Sequence, residues 1–147
     1  MTVIINLKTK VKFNKMKIKG ITGKLPNYLE YKGHAFQPQY NVRNGSIYEC
    51  LGIVCQFDDE LKNIRIFFTY YDPIDKYILS APKELFEIVD ETIPDFWMSS
   101  KLDGKNFLSL EDPDLLNHPY LEEELSDSDP NAVEVAKRIV RRHNSLW

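Results

Sequence analysis

The chain of 147 residues has little of what catalytic and metal-binding proteins commonly use. It contains three histidines and two cysteines, and no spacing of these with acidic residues matches a zinc site. It has neither a glycine-rich phosphate loop followed by Lys-Ser or Lys-Thr nor a Gly-x-Ser-x-Gly turn. No segment approaches the roughly 20 apolar residues of a membrane helix. These absences predict a protein that is not an enzyme, holds no metal or cofactor and does not enter a membrane.

The two cysteines, Cys50 and Cys55, lie five residues apart on a predicted strand. Side chains at that separation point to opposite faces, so we do not expect an intrachain disulfide. A chain without disulfides is typical of a reducing compartment, and we therefore expect the cytoplasm. We interpret both cysteines as small buried apolar side chains, with a Cys–His pair to His34 as the one nucleophilic alternative.

Charge is distributed unevenly along the chain, although the net charge is only −3. Residues 1–45 carry nine Lys and Arg against a single acid, Glu30. Residues 106–136 carry nine acids and neither Lys nor Arg, and the last eleven residues are basic again. Such blocks either neutralise each other in the fold or create separate fields on its surface.

Alternating and β-branched residues predict short strands with tight connections, whereas the C-terminal part has helical spacing. Asp129-Pro130 is a typical helix start, and a shorter helix is expected from Pro119 to Leu125. We predict one α+β domain over residues 1–147, with a small antiparallel β-sheet or SH3-like partial barrel followed by a C-terminal helical hairpin. Within it we distinguish a candidate N-terminal extension strand, a β-rich core and a helical part, at residues 1–15, 16–110 and 111–147.

Acidic and aromatic residues are dense near the predicted strand ends, on turns that we expect to cluster on one side. Tyr is favoured in protein interfaces, and grouped carboxylates attract a basic partner. The predicted partner-binding residues are Asp58, Asp59, Glu60, Tyr70, Tyr71, Asp72, Asp75 and Tyr77. A second acidic block, from Glu122 to Asp129, lies on or beside a predicted helix.

Six motifs are spread over roughly residues 16–143. They are Met16-Lys17-Ile18-Lys19, Gly45-Ser46-Ile47-Tyr48-Glu49-Cys50-Leu51-Gly52-Ile53, Ala81-Pro82-x-x-Leu85-Phe86-Glu87-Ile88-Val89-Asp90, Ile93-Pro94-x-x-Trp97, His118-Pro119-Tyr120 and the Asp129-Pro130 helix. Together they resemble a family of short bacterial immunity proteins, many of which are encoded beside polymorphic toxins. The segment from Ala81-Pro82 to Trp97 is the most specific part of this resemblance. Residues 1–15 precede the usual start of such proteins, and residues 25–42 depart from their pattern.

This resemblance implies that the chain binds one cognate toxin of a contact-dependent inhibition system and blocks it. An acidic surface suits a basic toxin domain, such as an RNase or DNase, whose own surface must attract phosphates. The alternative is a nucleic-acid-binding module that uses the lysine-rich region from Lys8 to Lys19 together with exposed aromatic residues. The overall acidic charge counts against that alternative.

Overall fold

The computed structural model describes residues 15–25, 39–58, 62–102 and 107–143. Within these ranges lie seven strands and three α-helices, so the predicted α+β class is confirmed. Apart from Lys15, the candidate N-terminal extension strand at residues 1–15 lies outside the described residues. The strands are β1 (Met16–Gly20), β2 (Ile47–Asp58), β3 (Asn63–Asp72), β4 (Tyr77–Pro82), β5 (Phe86–Asp90), β6 (Met98–Leu102) and β7 (Phe107–Glu111).

All strand pairs are antiparallel, and the sheet is open, with β4 and β5 at the two ends of the order β4-β3-β2-β1-β5. The long strand β2 is the centre of the sheet. Its first half pairs with β1 and its second half pairs with β7 on the same side, while β3 pairs along the other side. β6 pairs with β7 and completes the sheet. Of the two predicted architectures, the open antiparallel sheet is therefore the one observed.

The helices follow the sheet in sequence, as predicted, and are α1 (Pro113–Asn117), α2 (Leu121–Ser126) and α3 (Pro130–His143). The start of α3 agrees with its sequence signal, because Oδ1 of Asp129 accepts a hydrogen bond from the N–H of Asn131 at 2.8 Å. α2 begins at Leu121, two residues after the predicted start at Pro119. Strand β6 and helix α1 were not predicted.

One face of the sheet carries an aromatic core. Tyr48 contacts Tyr70 edge-on with ring centroids 5.0 Å apart, and Phe86 packs against both rings. The alternation in β1 explains its contribution, because Met16 and Ile18 are buried while Lys17 and Lys19 point to the other face. This core also contains Leu25, Val42, Cys50, Phe68, Ala81, Leu85 and Trp97.

The opposite face of the sheet packs against the helices. A register shift between Cys50 and Gly52 marks a bulge in β2, and Leu51 at the bulge joins the helix-side core. Ile78 of β4 is buried in the same core. The helices contribute Leu115, Leu121, Leu125, Ala132, Val135, Ala136 and Ile139. Part of this sheet face is left open next to α1 and α2, and the candidate site lies there.

A groove between the sheet and the helices as the candidate functional site

The acidic turns predicted to form one surface lie at opposite ends of β3. Asn63 at its start pairs with Asp58, and Asp72 at its end pairs with Tyr77. Ten extended residues separate these ends by about 30 Å. The prediction that the two turns cluster is therefore wrong. Asp59 and Glu60, together with the side chain of Asp58, lie outside the described residues.

Asp72 is fully buried and serves the fold, so its prediction as a partner contact is wrong. Both guanidinium nitrogens of Arg43 donate to its carboxylate at 3.1 Å, and Nδ2 of Asn41 donates at 2.8 Å. Burial raises the pKa of Asp72, but the hydrogen bonds from Arg43 and from the N–H of Ile74 outweigh it, and the pKa lies below its ordinary value. The carboxylate is thus ionised and neutralised inside the molecule.

Tyr70 is also buried, at 1% exposure, and its hydroxyl donates to the carbonyl oxygen of Asn41 at 2.9 Å. Its prediction as a surface contact is wrong for the same reason. Tyr71 is half-buried against the helix-side core. Of the predicted set, only Asp75 and Tyr77 have described side chains that are well exposed.

A groove, which we call the main groove, opens between the sheet and the segment that links α1 to α2. Residues directly opposite in an antiparallel ladder share a face, and one such row runs Ser80, Thr69, Gly52, Glu111 and Met98. Small hydroxyl side chains leave space above this floor. The groove encloses about 340 Å³, a size typical of ligand sites. Its lining residues are Val54, Thr69, Ile78, Ser80, Ser100, Ser109, Glu111, Leu115, Leu116, His118, Pro119, Leu121 and Glu122.

Glu111 is the distinctive residue of the main groove. Its side chain lies directly over Gly52, which has no side chain to hold it away from the sheet. Burial, reinforced by the negative charge of Asp112, raises the pKa of Glu111 to about 7. None of the ion pairs between described residues involves Glu111. A half-buried carboxylate in a groove, without a cation, is a typical feature of a functional site.

The neighbouring Asp112 has a structural role. It is fully buried, caps α1 by accepting from the N–H of Asp114 at 2.8 Å, and accepts two hydrogen bonds from Nη1 of Arg142. Asp114 in turn accepts from Arg138 at 2.8 and 2.9 Å. The basic end of α3 is thus partly engaged in anchoring the helix to the start of α1.

A second groove, which we call the edge groove, adjoins the main groove at Ile78 and Glu122. It lies between β4 and α2 and encloses about 680 Å³. Burial and the charge of Glu123 raise the pKa of Glu122, which stands where the two grooves meet. The lining residues are Tyr77, Ile78, Leu79, Glu122, Glu123, Ser126 and Asp127. Tyr77 is the one residue of the predicted set in this acidic region.

The lysines of β1 face acids of the neighbouring strands. Nζ of Lys15 lies 4.0 Å from Oε1 of Glu49, the residue that pairs with Lys17 in the β1–β2 register. Lys19 pairs with Glu87 of β5. Lys8, Lys10 and Lys12 lie outside the described residues. Of the described lysines in this region, Lys15 thus forms an ion pair, and Lys17 and Lys19 stand opposite acids in the strand register.

The geometry gives little support to the other candidate chemistry, which is a Cys–His pair or a metal site. Cys50 is fully buried, and burial raises the pKa of its thiol to about 12, so it is a poor nucleophile. Its proposed partner His34 lies outside the described residues. In residues 15–25, 39–58, 62–102 and 107–143, no three His, Cys, Asp or Glu side chains come together as a metal site would need. None of the helices described here is long and apolar enough to cross a membrane.

The sequence analysis did not include Glu111 among the predicted partner-binding residues. Two signals pointed to it. Gly52 interrupts a strand interior, where glycine often marks a close approach of other groups. Ser109 and Glu111 alternate with Leu108 and Leu110, which places both polar residues on one face of β7.

Comparison with known proteins finds no matching family model, no similar curated protein and no similar solved structure. The likeness to immunity proteins stays a prediction from the quoted motifs.

Proposed function

We propose that this chain is a cytoplasmic immunity protein, which binds a cognate bacterial toxin domain, of nuclease type, and neutralises it without catalysis. The sequence motifs suggest the class, and the main groove suggests the binding surface. The observation that carries the proposal is Glu111, a half-buried carboxylate that no described cation accompanies. Its place in a groove open to solvent suits a cation supplied by another molecule.

The environment of Glu111 favours an arginine or lysine of the partner as that cation. The Coulomb attraction between a carboxylate and a cation is stronger at a partly dry site than in water. The hydroxyl groups of Ser100 and Ser109 line the same groove and can accept further N–H donors of a guanidinium. Glu122 at the rim adds to the negative field that would draw the partner in.

Neutralisation follows from competition for the same basic side chains. A nuclease uses lysines and arginines to hold the phosphates of its substrate. When those side chains are paired with carboxylates of this chain, they are no longer available to nucleic acid. The proposed surface is thus an acidic one, as the sequence suggested, but it lies at the main groove and α2 and not at the β2–β3 turn.

The nucleic-acid-binding alternative has less support. The described lysines of β1 stand beside Glu49 and Glu87, and the main groove is lined by carboxylates that repel phosphates. We therefore keep it only as the outcome to be excluded by experiment.

The test is binding to the toxin domain encoded by the adjacent gene, measured by calorimetry at several salt concentrations and by nuclease assay. We expect a 1:1 complex that weakens with salt and abolishes cleavage. Glu111→Gln should weaken binding by about 30-fold, the equivalent of about 2 kcal/mol for one lost charge pair. The matched control is Glu134→Gln, since Glu134 lies on the exposed face of α3 and outside both grooves.

Failure of the wild-type chain to bind or inhibit that domain would contradict the proposed function. Binding of mixed-sequence RNA at physiological salt would favour the nucleic-acid alternative. Equal loss of affinity in Glu111→Gln and Glu134→Gln would leave the inhibitor function standing and would remove the main groove as its surface.

A further inference from the structure

Strand β4 ends the sheet and has one unpaired edge in the described structure. It pairs with β3 from Tyr77 to Pro82, and no other described strand pairs with it. Exposed strand edges in proteins are usually protected by lysines or other charges that discourage further pairing. β4 has the sequence YILSAP, with no charged residue and a proline only at its last position. The side chains of β4 therefore provide none of the charges that usually protect an edge strand.

The edge groove lies beside β4, which is the last strand at this end of the sheet. Tyr77, Ile78 and Leu79 all line it, although consecutive strand residues point to opposite faces of a sheet. The lining by three consecutive residues indicates that the groove is not confined to the side chains of one face. Its other wall is α2, so the groove has an edge strand on one side and a helix on the other.

A groove between an edge strand and a helix is the geometry in which peptide-binding domains add an extended segment as an extra strand. We propose that β4 receives such a segment from the basic partner, which pairs with the strand edge and lies beside α2. The identity of that partner rests on the proposed function, whereas the pairing itself is a property of β4 and α2. The six residues of β4 offer about 20 Å of edge, enough for a segment of five or six residues.

The two faces of β4 predict the sequence pattern of the incoming segment. Ile78 packs in the helix-side core, whereas Leu79 packs against the aromatic core on the other face. Side chains of an added strand alternate in the same way. Those on the helix side meet Glu122, Glu123 and Asp127, and lysine or arginine is favoured there. Those on the other side extend the surface of Leu79 and Tyr77, where apolar residues are favoured. The segment should therefore alternate basic and apolar residues.

Charge argues against a second copy of this chain as the occupant. Antiparallel pairing of β4 with β4 of another copy would bring the two α2 helices together across the joint. Each α2 carries Glu122, Glu123 and Glu124 in its first turn, so the two helices would repel each other. A basic partner has no such cost.

The experiment uses an eight-residue peptide that alternates lysine and valine, added to the full chain at up to millimolar concentration. Amide chemical shifts and hydrogen exchange are followed by NMR. We expect changes centred on residues 77–82 and protection of the amides of β4 that point to the groove. A peptide of the same composition in block order, four lysines and then four valines, should bind at least tenfold more weakly. An N-methylated alternating peptide should lose the protection, because it cannot pair with the strand.

Two substitutions on the same helix test the role of charge. Glu123 lines the edge groove and Glu124 does not. Glu123→Lys should weaken the alternating peptide by about threefold or more, while Glu124→Lys should have a smaller effect.

The proposal is overturned if the shifts fall outside β4 and α2, if both peptide orders bind equally, or if self-association of the chain protects β4 without peptide. These outcomes are independent of the toxin assay. If the chain inhibits the toxin but fails the peptide test, the proposed function stands and this docking mode is rejected. If the chain binds the peptide but does not inhibit the toxin, the docking mode stands and the proposed function is rejected.

Discussion

The side chain of Glu111 packs directly on Gly52, in the row of paired residues that crosses the helix-side face of the sheet. A Cβ added at position 52 would lie 2.4 Å from Cβ of Glu111 and 3.1 Å from its Oε2. Atoms cannot approach so closely, so the glycine is needed for β2 and β7 to pair with Glu111 in this place. The half-buried position of the carboxylate is thus tied to one backbone position in the central strand.

Gly52→Ala should therefore destabilise the protein. We expect a loss of about 1–3 kcal/mol in the free energy of unfolding, as is usual when a side chain is forced into a packed site. Urea unfolding followed by circular dichroism measures it. Ser109→Ala, on the same sheet face, is the control and should change the stability by about 0.5 kcal/mol or less. A fully stable Gly52→Ala variant would contradict the tight contact.

Glu111→Gln should stabilise the protein at neutral and alkaline pH while it weakens partner binding. The pKa of Glu111 is raised from 4.5 to about 7 in the folded chain. Its contribution to stability is therefore full below about pH 4.5 and is lost as the pH rises through about 7. Glutamine cannot ionise, so the variant avoids this loss of stability. Because solvent still reaches part of the carboxylate, we expect a gain of only about 1–2 kcal/mol at pH 8.

The measurement is urea unfolding of both proteins at pH 4.5 and pH 8. The free energies of unfolding of the wild type and the variant should be nearly equal at pH 4.5, and the variant should be the more stable protein at pH 8. Replacement of a residue in a functional site often raises the stability of a protein, because that residue serves binding and not folding. A Glu111→Gln variant that is less stable at pH 8 would show that the carboxylate has a structural partner.

Local sequence patterns predicted much of the fold. Alternating and β-branched residues predicted short strands, and the Asp129-Pro130 signal gave the start of α3. Strand β6 was missed because its sequence, MSSKL, carries no β-branched residue and gains its place only by pairing with β7. Such pairing is a tertiary preference that single residues do not reveal.

The site was predicted less well, because burial of a charged residue depends on distant partners. Asp72 looked like a turn carboxylate, and nothing nearby in sequence indicated that Arg43, 29 residues earlier, would enclose it. Glu111 and Asp112 are adjacent, yet one lines a groove and the other anchors Arg142 of α3. Only the paired strands and docked helices separate these roles.

Asp72→Asn should destabilise the fold without a direct effect on partner binding. The substitution weakens the hydrogen bonds that the buried side chain accepts from Arg43 and Asn41, which typically costs about 1–3 kcal/mol. Asp75→Asn is the control, since Asp75 is half exposed and its Oδ2 lies 3.7 Å from Nη2 of Arg43, so we expect a loss of about 1 kcal/mol or less. Thermal unfolding measures both. If folded Asp72→Asn lost affinity for the partner more than tenfold, Asp72 would have to be restored as a binding residue.

The buried pair Trp97 and His143 should make the fold sensitive to mild acid. Nε1 of Trp97 donates to Nε2 of His143 at 2.9 Å, and the other ring nitrogen lies 2.9 Å from the carbonyl oxygen of Ile139. This geometry requires a neutral ring with its proton on Nδ1. Burial lowers the pKa of His143 below its ordinary 6.5, and nearby Arg142 acts in the same direction, against the hydrogen bond to Ile139 and the charge of Asp112.

A lowered pKa in the folded state means that the unfolded chain takes up the proton first. The stability due to neutral His143 is therefore full above about pH 6.5 and decreases as the pH falls below that value. His143→Gln cannot be protonated, so the unfolding free energy at pH 5.5 minus that at pH 7.5 should be more positive for this variant than for the wild type, even if the variant is less stable throughout. Protonation of Glu111 raises the stability of both proteins over the same range and therefore cancels in the comparison. Equal slopes in wild type and His143→Gln would mean that the buried ring does not control this pH dependence.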